Sequence, residues 1–162
     1  MKIKIDKSTQ LGSSLKVMDI CSGKAELYFA TTNNMKQWDT CASCCIIKEA
    51  GGKVRLNTNG HGNVINKRNI LPELKGLVDS ISISLNADTA EAYDRIVRPL
   101  PGLRNEIYDR VKEFIEEAKK YIPEVQATIV THQEGVDEEK CEEISKNEFD
   151  VKYRPRRYNI VG

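Results

Sequence analysis

The chain has 162 residues, of which 40% are hydrophobic and 30% charged, with a formal net charge of +1. That length suits one globular domain with its own core, and the composition excludes a disordered chain. Near-neutral charge gives no global case for nucleic acid, and no apolar run approaches the roughly 20 residues of a membrane span.

The start, Met1-Lys2-Ile3-Lys4-Ile5-Asp6, has no apolar leader core. Five cysteines, an odd number, argue for reduced thiols and a cytoplasmic setting. Lys2 to Ile5 alternates like a short edge strand, and Ser8 to Ser14 is a polar loop. Residues 1–18 form a segment of weak pattern ahead of the body at 19–162. Ala25 to Ala30 is a strand candidate.

Trp38 to Ala50 suits a helix, ended by Gly51-Gly52. Cys41, Cys44 and Cys45 share one face of it. They suit a small buried face, because free cysteine packs as a small hydrophobe. A thiolate zinc site is the alternative. Its further ligands would have to come from Cys21, Cys141 or a histidine, with no supporting spacing.

Lys53 to Thr58 and Asp79 to Leu85 are short β-branched and apolar runs, separated by too many residues for a hairpin. The spacing predicts strand, crossover helix (Asn66 to Leu77) and parallel strand. Ile81, Ile83 and Leu85 alternate with Ser80, Ser82 and Ser84. One face should pack on helices while the other looks into something polar. Asn57-Thr58-Asn59-Gly60 and Asn86-Ala87 end the two runs, at the edge where parallel sheets hold ligands. His61, in a loop with two glycines, is a candidate ligand or base.

Asp88 with Glu91 resembles a capping box for a helix through Val97, stopped by Arg98-Pro99. Leu103, Ile107, Val111, Phe114, Ile115, Ala118 and Tyr121 form a stripe of helical period. Val125 to Val130 is a strand, followed by a loop with His132. Val136 to Asn147 is a polar helix and Phe149 to Arg154 a last strand. Arg154 to Asn159 is basic and suits phosphate or carboxylate.

This order argues for an α/β domain with a mostly parallel sheet. The segments Val54 to Asn63, Leu71 to Leu74 and Ser82 to Ala87 resemble the radical S-adenosylmethionine (SAM) proteins, in the branch associated with TatD-type nucleases. The resemblance runs from about Asp19 to Gly162. It implies a partial (β/α) barrel of about five strands with helices outside, and SAM at Asn57, Asn59, Ser84 and Asn86. It also implies an iron–sulfur cluster held by C-x3-C-x2-C, which no stretch supplies, so no cluster ligand is assigned. The expectation is therefore the later part of such an enzyme, inactive alone. The alternatives are a catalytically silent partial barrel that binds partners or itself through an open sheet edge, or the thiolate zinc protein.

Overall fold

A computed structural model describes residues 19, 21–24, 45–99, 101–104 and 106–157. The chain forms two compact units, Met1–Val54 and Arg55–Gly162. The strand candidates at Lys2 to Ile5 and Ala25 to Ala30 lie outside the described residues, as do Cys41 and Cys44.

In the first unit, residues 45–49 are helical. The helix closes as the glycine pair predicts. Gly51 takes φ +75°, its N–H donates to the Lys48 carbonyl, and the Gly52 N–H donates back to Ile47. This pair of hydrogen bonds at a left-handed glycine satisfies carbonyls that the helix end would otherwise leave open. Cys45 is exposed, so the small buried cysteine face expected here does not include it.

The second unit is a four-stranded parallel sheet in the order β1-β2-β3-β4. The strands are β1 (Arg55–Thr58), β2 (Ser80–Ser84), β3 (Glu124–Val130) and β4 (Lys152–Arg156). All three pairings are parallel, as the spacing predicted for the first pair. The described strands form an open row with β1 and β4 at its edges, and no barrel closure accompanies them. β4 carries Lys152, Arg154, Pro155 and Arg156, residue types that suit an edge strand.

Strands in sequential order, joined by the usual right-handed crossovers, put the helices that connect them on the same side of the sheet. The contacts agree. Ile81, Ile83, Ala127 and Ile129 are fully buried on that side. It is covered by α3 (Ala90–Val97), α4 (Ile107–Ala118) and α5 (Glu138–Glu143). Tyr93 of α3 lies against Tyr108 of α4, with ring centroids 5.5 Å apart. Tyr108 donates its hydroxyl hydrogen to the Ala87 carbonyl at 3.1 Å. Tyr153 of β4 donates to the Glu138 carbonyl of α5 at 3.3 Å.

Three local expectations need correction. The helix expected from Asn66 to Leu77 is two short ones, α1 (Gly62–Asn66) and α2 (Leu71–Leu74). Lys67 ends the first in the left-handed conformation, and Pro72 fits only the first turn of the second. The cap of α3 is Thr89, whose hydroxyl accepts the Ala92 N–H at 3.2 Å, and not Asp88. Asp88 instead accepts the Asp137 N–H at 3.1 Å. The helix expected to Asn147 leaves α geometry after Glu143 and ends as a π turn over Ile144–Glu148.

Gly60 fixes the exit from β1. Its φ is +81°, and an added Cβ would lie 3.1 Å from Ile83 Cγ2 and 3.2 Å from Val111 Cγ1. Both the backbone and the space therefore select glycine. Gly60→Ala should lower the unfolding free energy by about 2 kcal/mol, read as a shift of the urea midpoint. An unchanged midpoint would contradict this packing.

Candidate functional site: the open sheet face and its carboxyl edge

Strand alternation puts the remaining side chains on the face away from the helices. In register, Asn57 stands beside Ser82, Gln126 and Lys152, and Ser84 stands beside Thr128 and Arg154. This face carries hydroxyls, amides and cations. At its centre Ser82 is 3% exposed, Gln126 7% and Thr128 2%. Buried polar groups need partners, and two arginines supply them for the serines. Arg55 of β1 donates to Ser82 Oγ from Nη2 at 2.7 Å and from Nε at 3.2 Å. Arg156 of β4 donates to Ser84 Oγ at 3.2 Å. The strand end that carries Arg156 is held to β3, because its carbonyl accepts the Thr131 N–H at 2.8 Å.

The four residues singled out from the sequence meet different fates. Asn57 is exposed on the open face. Ser84 lies on the same face under Arg156. Asn59 is exposed and turned into its own loop, where Oδ1 accepts the His61 N–H at 3.1 Å. Asn86 sits at the carboxyl end of β2 with φ +60°, and its Oδ1 is buried with no partner among the described residues. Thr131, just past β3, has a buried Oγ1 in the same condition. Orphaned oxygens at this edge are suited to a ligand or a bound water.

The sequence reading passed over Arg55, and it took Arg156 only as part of the basic run Arg154 to Asn159 that suits phosphate or carboxylate. Their signal was parity: Arg55 shares a face with Asn57, and Arg156 shares one with Lys152 and Arg154.

His61 belongs to the helix-covered side. Its Nε2 lies 2.8 Å from the hydroxyl of Tyr93, which is fully buried. Desolvation lowers the His61 pKa, and burial raises that of Tyr93. His132 is exposed with φ +61° and lies off this cluster. Cys141 is buried, and desolvation pushes its thiol up to about 12, so it stays protonated. Among the described residues no three His, Cys, Asp or Glu side chains are placed to hold a metal ion, which leaves the zinc alternative without support there.

Comparison with known proteins overturns the radical SAM expectation. A sequence model described as the inositol monophosphatase family matches residues 2–92, more than half of the chain. The chain is 39% identical over 54 residues to human 3'(2'),5'-bisphosphate nucleotidase 1, covering 33% of this chain and 17% of that one. It is 44% identical over 64 residues to the 3'(2'),5'-bisphosphate nucleotidase CysQ of Buchnera aphidicola, covering 38% of this chain and 23% of that one. The chain thus spans about a fifth of the length of these curated relatives. No solved structure matches.

SAM at Asn57, Asn59, Ser84 and Asn86, an iron–sulfur cluster and the TatD-associated assignment are accordingly withdrawn. The physical reason is plain. Polar residues at the carboxyl ends of parallel strands mark the ligand edge of α/β sheets in general, so they do not single out one cofactor.

The His61 geometry carries a pH dependence. Its folded-state pKa is lowered, so the unfolded chain binds the proton more readily. The contribution to stability is present above the ordinary histidine pKa and is lost as pH falls through the folded value. Thermal melting from pH 8 down to pH 5, about one unit or more either side of that ordinary value, should show a smaller fall for His61→Asn than for the wild type. Parallel curves would contradict the assignment.

Proposed function

Because this chain belongs to the inositol monophosphatase family, we propose that it serves the hydrolysis of a phosphate ester on a small molecule. The proposed substrate class is the 3'(2'),5'-bisphosphorylated nucleotides. The family match carries this reading, and the names of the two nucleotidases supply the substrate class. The open sheet face adds chemical support. Arg55, Arg154 and Arg156 lie on one surface with Ser84 and Thr128, and planar guanidinium groups suit phosphate oxygens.

Members of this family use metal ions such as Mg2+. The described residues do not fit such an ion: they bring no three carboxylate, imidazole or thiolate groups together. Arg55–Arg156 is therefore read as the part that holds oxyanions. Its role is to neutralise and orient phosphate, since charge-assisted guanidinium hydrogen bonds to phosphate oxygens are strong and can be bidentate. His61 is suited to a neutral role near pH 7, given its lowered pKa and its contact with Tyr93.

We place the protein in the cytoplasm. The free thiols of Cys21, Cys45 and Cys141 support a reducing compartment. Among the described residues no helix is long and apolar enough to cross a membrane.

The test is release of inorganic phosphate from adenosine 3',5'-bisphosphate by the full chain with Mg2+. Saturable release is expected. No release from this substrate or from an inositol monophosphate would overturn the reading.

A further inference from the structure

The two arginines of the open face come from opposite edges of the sheet and meet on one strand. Arg55 reaches in from β1 and Arg156 from β4, crossing β3. Their anchors, Ser82 and Ser84, are two residues apart on β2, which separates them by about 7 Å along the strand. Among the described residues the ion pairs engage neither Arg55 nor Arg156, and the same holds for Arg154. The nearby carboxylate on this face, Glu124, pairs with Lys152 at 2.8 Å.

A hydroxyl oxygen accepts a guanidinium hydrogen without neutralising its charge. Both arginines are exposed, and each guanidinium carries five N–H donors. Arg55 uses two of its donors on Ser82 Oγ and Arg156 one on Ser84 Oγ. The serines therefore hold two cations in place while leaving donors free. This is preorganisation: the side chains are oriented before a ligand arrives, which lowers the entropy lost on binding.

We propose that Arg55 and Arg156 are the two jaws of an oxyanion site on the open sheet face, which takes a small molecule with two phosphate groups about 7 Å apart. The site needs no metal ion to bind. It rests on the phosphate-ester reading for the choice of ligand class alone, since the jaws are defined by the sheet geometry.

The experiment is calorimetric titration of the full chain with adenosine 3',5'-bisphosphate in the presence of EDTA, beside inorganic phosphate. Arg55→Gln and Arg156→Gln should each weaken bisphosphate binding about tenfold or more, with unchanged circular dichroism. Binding should also weaken as salt rises. Should a glutamine variant not fold, Arg55→Lys or Arg156→Lys keeps the stem and the charge but loses the fork, and a smaller loss is expected. No binding in EDTA, binding unchanged in the variants, or a loss confined to one of them would overturn the two-jaw site. Phosphate release with Mg2+ is a separate readout. Turnover that persists while EDTA binding is absent sinks this site alone; binding without turnover sinks the hydrolase reading alone.

Discussion

Parallel pairing in sequential order is the constraint on which the second unit depends. Each strand must return to the same end of the sheet before the next can pair, so each connection crosses over one face. With strands in the order β1-β2-β3-β4, the crossovers accumulate on one side. That side becomes the core: Ile81, Ile83, Ala127 and Ile129 meet helices bearing Tyr93, Tyr108, Val111 and Ile115. The opposite side receives no helix from these connections, and its residues are free to be polar.

Much of this was legible in the alternation of β2. Serines at every second position between isoleucines state which face packs and which does not. The strands came out within a few residues of expectation, apart from those outside the described residues. Helix details were less legible. Pro72 stood inside the segment read as one helix, and its missing N–H should have placed a start there. Thr89 and Asp88 are both good caps, and only the contact between Asp88 and the Asp137 amide separates their roles.

The site was legible in part. Ser84 and Asn57 could be placed on the polar face by parity, and they stand there. Arg156 could not be linked to Ser84 from sequence, because 72 residues separate them and the contact spans two strands. Function was misread for a related reason. The strand-end pattern reports the sheet, and the sheet is shared by many chemistries. The region 2–92 carries the family signal, and it also holds Asn57, Asn59, Ser84 and Asn86, the strand-end residues on which the SAM expectation rested.

The central claim is sidedness: helices cover Ile83 and leave Ser84 facing away from them. Peptide-resolved alkylation of Ser84→Cys and Ile83→Cys in the folded full chain tests it directly, because mass mapping separates each site from the native cysteines. The account predicts that the thiol at 84 reacts at least about tenfold faster than the thiol at 83, which must wait for local opening. Equal rates, or faster reaction at 83, would contradict it.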